Sequence, residues 1–423
     1  MSLIIKNVKR LVKENTLETV DVKIEKGIIT QIDKNIPIGK NCTVIEGKGA
    51  LITAGLLDIH VHLREPGFTH KETIETGSRA AARGGFTQIY AMPNTKPAMD
   101  SVESVEAFYK TVEEKALIHA YTYGCITKGL NSDEAVDAKG LLSAGVSGFS
   151  NDGLGVQNAQ VMFDAMLKAK KLNSVIVAHA EDDQLKKDGV VGSSELSKRL
   201  GLPELPAISE AAQVARDLVL AQETGVHYHV CHVSCAQTVD VIRDAKRRGV
   251  HVSAEVTPHH LILCDDDIKE ADANFKMNPP IRTKKDKEAL LNALLDGTID
   301  CVASDHAPHS DEEKARGFLK APFGILGLEY NFALLYTEFV RKGIFTLEDL
   351  IKFYSINAAK CIEVDYPKLE VGSVADCALF DLETKLVIDK PFASMSNNSP
   401  FIKKEVYGDC ICTLVSGKVV YQK

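Results

Sequence analysis

Eight short apolar runs, separated by longer stretches with helical periodicity, occupy residues 55–303 and constrain the fold more than any other feature. The runs are Gly55–Ile59, Gln88–Met92, His119–Tyr123, Gly148–Phe149, Val175–Ala178, His227–Val230, His251–Val256 and Cys301–Ala303. They are brief and rich in β-branched residues, and so read as strands. Helical patterns fall between them at Ser104–Tyr109, Val161–Leu167 and Thr238–Ile242. Thr346-Leu347-Glu348-Asp349 fits a capping box at a further helix start. Strand–helix repetition gives a parallel sheet covered by helices, and eight units over about 300 residues predict a (β/α)8 barrel of the TIM type. The fourth run is the shortest. An open doubly wound sheet is the alternative, but no glycine-rich phosphate fingerprint follows the first run to support it.

The two ends of the sequence have another rhythm. Leu3–Lys6, Val20–Ile24, Ile28–Ile32 and Cys42–Ile45 read as strands, with a turn at Gly27. Asp376–Phe380 and a hairpin over Thr413–Val420 resemble them. This predicts a small composite β-sandwich domain from residues 1–52 and 366–423, beside a barrel spanning 53–365. No low-complexity segment and no short repeat interrupts the pattern.

Composition narrows the function classes. Apolar residues make up 45% of the 423 and charged residues 26%, the balance of a folded globular protein rather than a disordered one. A formal net charge of −8 argues against a nucleic-acid groove or an anionic membrane surface as partner. No apolar run approaches the roughly 20 residues needed to span a bilayer, and the first residues do not read as a signal peptide. The expected location is the cytoplasm. The ten cysteines are scattered, several inside apolar runs, and read as free thiols. Cys410-x-Cys412 and Cys231-x-x-x-Cys235 do not have the common Cys-x-x-Cys spacing of zinc or redox sites.

In a (β/α)8 barrel the chemistry lies at the C-terminal ends of the strands. The first run ends in Asp58-Ile59-His60-Val61-His62, and residues two apart on a strand face the same side. The fourth leads into Asp152, the fifth into His179, the sixth into His232 and the eighth into Asp305. Imidazole and carboxylate together suit zinc and related divalent ions. Six ligands exceed the three of a single catalytic zinc, but serve two metals roughly 3.5–4 Å apart that share a carboxylate and a water. A lone histidine at a strand end is usually structural, and that reading is kept for His119, His227, His229 and His251. The convergence of five strand ends sets the other histidines apart.

Two stretches carry a resemblance. Asp58-Ile59-His60-Val61-His62-Leu63-Arg64-Glu65-Pro66 resembles the first signature of dihydroorotases, and Ala303-Ser304-Asp305-His306-Ala307-Pro308-His309, with Lys314 following, resembles the second. The chain is similar over its whole length to bacterial type I dihydroorotases of the amidohydrolase superfamily. The resemblance implies two zinc ions, one held by His60, His62 and Asp305 and the other by His179 and His232. Many superfamily members bridge the metals with a carboxylated lysine on the fourth strand. Here Asp152 stands at that point, which implies the aspartate bridge of some type I dihydroorotases.

The implied reaction is the reversible hydrolysis of dihydroorotate to N-carbamoyl-aspartate, a step of de novo pyrimidine synthesis. Asp305 would move the proton. Arg64, Asn94 and His309 would hold the substrate carboxylate; Asn278 and the backbone at Phe323-Gly324 would contact the ring, with His62 and Leu63 completing the substrate set. The polar stretch from His309 to Gly324 reads either as a mobile lid or as a solvated helix. The resemblance also implies a homodimer and leaves open an association with aspartate transcarbamoylase. The competing readings are a hydantoinase or allantoinase on the same barrel, or a non-catalytic dihydroorotase-like partner of that transcarbamoylase. Retention of all six ligands speaks against the last.

Overall fold

The computed structural model describes residues 2–131 and 133–423. Its centre is parallel α/β structure. Leu56–Val61, Phe86–Ala91 and His119–Thr122 pair in parallel as one arc. Gly124–Cys125, Phe149–Ser150, Val175–Ala178, His227–Val230, Val252–Val256 and Cys301–Val302 form a second parallel arc in that order. Most of these strands are buried along their whole length, as expected where helices cover one face and a packed interior the other.

The third run is where sequence and structure part. It was expected as one strand, His119–Tyr123, but is broken at Tyr123. The Tyr123 amide still donates to Ala91 O of the second strand (3.0 Å), while the next amide, Gly124, donates to Gly148 O beside the fourth (3.0 Å). The chain changes partner between two residues, and the buried Tyr123 hydroxyl donates to Ile59 O across the interior (2.9 Å). At the opposite junction, an isolated parallel bridge joins Val61 to His306, and the His62 amide donates to His306 O (2.8 Å).

The helices follow their sequence signals. Val102–Lys115 starts from a Ser101 capping box and Leu347–Phe353 from Thr346 with Asp349, so side chains satisfy otherwise orphaned N–H groups. Among the described residues no helix is long and apolar enough to cross a membrane.

Both ends of the sequence enter one further sheet. Its order is Lys418–Gln422, Asp409–Val415, Cys377–Asp381, Leu51–Ala54, Ser2–Lys13, Thr16–Glu25 and Ile28–Asp33, with Cys42–Glu46 also on Ser2–Lys13. Val22, Ile24, Ile52, Leu379 and Leu414 share its apolar core. Leu51–Ala54, which no separate sequence signal marked, lies in the middle of this sheet and leads through the single residue Gly55 into the first parallel strand. A Cβ at Gly55 would sit 2.0 Å from Thr87 Oγ1, so only glycine permits this close crossing.

Candidate active site

The strand-end ligands converge. His60 is the penultimate residue of the first strand, with His62 just beyond its end; Asp152, His179, His232 and Asp305 each follow their strands by one to three residues. All six are buried, none more than 6% exposed. His60 Nε2 is 3.2 Å from Asp152 Oδ1 and 3.5 Å from Asp305 Oδ1. His62 Nε2 is 3.1 Å from Asp305 Oδ1 and 3.4 Å from Asp152 Oδ2. On the other side of Asp152, His179 Nδ1 and His232 Nε2 lie 3.8 and 3.7 Å from its Oδ1, and 2.9 Å from each other. These atoms form two groups of metal-ligand spacing, His60–His62–Asp305 and Asp152–His179–His232. His60 Nε2 and Asp152 Oδ1 make no hydrogen bond although both are fully buried. Orphaned polar atoms of this kind are costly unless something else satisfies them, and here they face one another.

The far side of each imidazole is anchored. His60 Nδ1 donates to Glu255 Oε1 (2.6 Å) and His62 Nδ1 to Asn94 Oδ1 (3.0 Å), which turns each Nε2 lone pair toward the cluster. Asn94 Nδ2 in turn donates to the Asp152 carbonyl (3.2 Å) and to its Oδ2 (3.3 Å). Glu181 lies 3.6 Å from His179 Nε2 and is paired with Lys186 (2.5 Å). Burial alone would raise the carboxyls of Asp152 and Asp305, but the surrounding imidazoles hold both well below the usual range. Asp58, of the first motif, instead lies beneath the cluster, accepting from the His60 and Ser304 amides (3.1 Å each), and burial pushes it up to about 7.

A cavity of about 160 Å³ opens onto this cluster, lined among others by Arg64, Asn94, Lys186, Asn278, Phe323 and Gly324. Arg64 Nε donates to Pro308 O (3.2 Å), and its Nη2 lies 3.2 Å from His309 Nε2. Burial lowers the guanidinium to about 10, leaving it cationic at neutral pH. His309 donates from Nε2 to Phe323 O (2.8 Å); burial, then Arg64 and Lys71, keep its ring neutral. Asn278 Nδ2 reaches Glu181 Oε2 (3.3 Å), and its buried Oδ1 has no protein partner. Gly324 has φ +135°, and a Cβ there would meet Ala307 Cβ at 2.6 Å. The side chain of Leu63 is not brought to the cavity: it is 1% exposed and packs in the core beside Gly77. Within the 309–324 stretch, a short helix, Asp311–Lys314, ends in a buried lysine that donates to Lys276 O (3.2 Å) and Pro322 O (3.1 Å). That ammonium ties the Asn278 segment to the Phe323 segment.

Three of these residues hold left-handed backbone without being glycine: Arg64 (φ 59°), His232 (φ 31°) and Asp305 (φ 47°). Such positions cost of order 1–3 kcal/mol each and cluster where side-chain direction matters.

Several participants have no place in the sequence motifs. Glu255 is the main one. It is a lone carboxylate in the apolar strand Val252–Val256, and a buried charge needs a partner; that oddity was the available signal. Its other oxygen accepts from His229 Nε2 (3.1 Å), so one histidine read as structural supports a cluster ligand indirectly. Cys231 reaches His60 and Asp152, and burial pushes its thiol up, so it remains protonated. His119 pairs with Asp376 (3.1 Å).

A family model described as dihydro-orotase-like matches residues 49–238. The chain is 48% identical over 424 residues to a dihydroorotase of Geobacillus sp. (strain WCH70), covering 100% of this chain and 99% of that one. The identity and coverage are the same for a dihydroorotase of Enterococcus faecalis. Among solved structures, an L-hydantoinase (dihydropyrimidinase) from Arthrobacter aurescens superposes with a TM-score of 0.87 at 26% identity, covering 100% of this chain and 96% of that one. A dihydropyrimidinase from Brevibacillus agri gives 0.84 at 26% identity, with 100% and 95% covered. Full-length likeness at nearly half identity, on a parallel α/β fold shared with cyclic amidohydrolases, places the chain in the dihydroorotase family.

Proposed function

We propose that this chain is a metal-dependent dihydroorotase that interconverts N-carbamoyl-L-aspartate and (S)-dihydroorotate plus water, the third step of de novo pyrimidine synthesis. The observation that carries the reading is a cluster of six buried ligand-type side chains that opens onto one cavity beside a fixed arginine. The donor set fits divalent metal: four imidazoles and two carboxylates, with His60 Nε2 and Asp152 Oδ1 buried and unsatisfied. His60, His62 and Asp305 would hold one ion and His179 and His232 the other, with Asp152 shared between two zincs. When bound, the pair supplies an acidified water and a polarised carbonyl.

The protein's own part is positional and acid–base. Arg64, with Asn94 and His309, would receive the substrate carboxylate, Arg64 through two parallel N–H bonds. Asn278 Oδ1, lacking a partner, would accept from a ring or carbamoyl N–H, and the Phe323–Gly324 backbone would border the ring. Asp305 would take a proton from the attacking water and return it to the leaving ring nitrogen; the reverse direction exchanges these roles.

We also read the two parallel arcs as one closed (β/α)8 barrel over residues 53–365, supported by the Val61–His306 bridge and the partner change at Tyr123, with 1–52 and 366–423 as the composite β domain. The reading extends to a cytoplasmic homodimer able to associate with aspartate transcarbamoylase; ten unpaired cysteines support the compartment.

The test is an activity assay on purified, zinc-loaded protein with dihydroorotate, N-carbamoyl-aspartate, hydantoin and allantoin, alongside metal analysis. The proposal expects turnover of the first two substrates, about two zincs per chain, and loss of activity on chelation with recovery on zinc. Turnover of hydantoin without dihydroorotate would move the chain to the hydantoinase reading. Full activity with one tightly bound metal would refute the binuclear centre.

A further inference from the structure

A second arrangement of reactive groups lies at the opposite end of the parallel strands. Cys301 opens the eighth strand, and Cys361 lies on the helix Ile356–Ile362 packed against it. Their sulfurs are 3.5 Å apart, close enough for a thiol–thiol hydrogen bond. The His229 ring lies beside the Cys361 thiol, with Nδ1 2.8 Å from Ser253 Oγ and Nε2 facing the buried carboxylate of Glu255 at 3.1 Å. A thiol beside an imidazole that is itself oriented by a carboxylate is the arrangement that activates a sulfur nucleophile. Cys301 first, then His229, draw the Cys361 thiol below its ordinary range against its burial, whereas burial pushes Cys301 up. One sulfur is thus biased to thiolate and its neighbour to thiol.

Cys361 is 1% exposed, so a reactant must reach it through a cavity. One is present, about 350 Å³, lined by His227, Ser253, Asp300, Asn357 and Cys361. His227 and Asp300 mark it as the N-terminal mouth of the strands, away from the metal-ligand cluster. The space exceeds what a small peroxide needs.

We propose that Cys361 and Cys301 form a reversible redox site in which Cys361 is the peroxide-reactive sulfur and Cys301 resolves it. The Cys361 thiolate attacks one peroxide oxygen; the O–O bond breaks, hydroxide leaves and a sulfenic acid remains. The Cys301 thiol then attacks that sulfur, and water leaves as the disulfide forms. Peroxide is reduced by two electrons and the two sulfurs are oxidised by two.

The experiment treats zinc-loaded enzyme with a small molar excess of hydrogen peroxide, followed by non-reducing peptide mapping and a thiol count under denaturing conditions. The expected result is a disulfide between the peptides bearing Cys301 and Cys361. Two of the ten thiols are then lost, and dithiothreitol restores both. In Cys301→Ser, oxidation stops at Cys361 sulfenic acid, which dimedone traps. If Cys301 and Cys361 remain reduced while other cysteines oxidise, or if Cys361 in the serine variant takes no dimedone, the proposal is wrong. The wild-type measurement requires no variant to fold.

Discussion

Glu255→Gln probes a carboxylate that touches no part of the cavity yet fixes a ligand. Glu255 receives three hydrogen bonds, from His60 Nδ1 at 2.6 Å, His229 Nε2 at 3.1 Å and the His232 amide at 3.2 Å. Glutamine keeps the volume and one acceptor but loses the charge, and it sets an NH2 group against one imidazole N–H. Removing a partner that orients a metal-binding histidine costs 10–100-fold in metal affinity or activity, about 1.4–2.7 kcal/mol. The His60 bond is the shortest of the three and is charge-assisted, and such bonds are worth about 1.5–3 kcal/mol, so the upper part of that range is expected, roughly 30–100-fold. The assay is zinc titration of metal-free protein against a competing chelator, followed by kcat at saturating zinc. The affinity should fall by that factor, while kcat at saturation falls less, since bound metal re-orients His60. Glu255→Ala should differ in kind: two imidazole N–H groups are left buried without partners, and the fold itself loses about 3–5 kcal/mol. A glutamine variant with both zinc affinity and kcat within threefold of wild type would show that the carboxylate does not orient the centre.

Three further outcomes are expected. Asp305→Ala should lower kcat by at least the 10²–10⁴-fold typical of a positioned acid–base group; near-normal kcat at saturating zinc would remove its proton-transfer role. Arg64→Lys should raise KM for N-carbamoyl-aspartate more than it lowers kcat, by roughly 10–100-fold in kcat/KM, because an ammonium cannot make two parallel bonds to a carboxylate; steady-state kinetics in both directions checks this. Glu329 is buried, and its carboxyl is raised to about 7. A folded-state value above the unfolded one contributes stability that is fully present below about pH 4.5 and lost as pH rises through 7, a swing of about 3 kcal/mol. Glu329→Gln should therefore flatten denaturant-derived stability between pH 5 and pH 8, whereas an unchanged pH slope would count against the raised value.

How far the site could be read beforehand depended on whether a signal was local. His60, His62, Asp152, His179, His232 and Asp305 each follow a short apolar run, so periodicity was enough to collect them. Glu255 acts across the interior, on imidazoles from other strands, and no spacing reports a partner 195 residues away. Leu63 neighbours two site residues along the chain, but its side chain goes to the core, just before the left-handed turn at Arg64. The break at Tyr123 was invisible because an amide's choice between two flanking strands is set by their positions in space. Charges along the 309–324 stretch fit a lid and a solvated helix equally, and they do not show that Lys314 turns inward to bridge two carbonyls.

The place of Leu51–Ala54 bears on how the protein is made. This strand pairs on one side with Ser2–Lys13, available early in synthesis, and on the other with Cys377–Asp381. Between this strand and its second partner lie about 320 residues of chain, roughly a quarter of a minute to a minute of translation at 5–20 residues per second. Throughout that interval a half-built sheet presents an unpaired apolar edge immediately before the strand that bears His60 and leads into His62, and open edges of this kind recruit other chains. Yield in cells should therefore respond more to chaperone supply and elongation rate than to the stability of the finished enzyme.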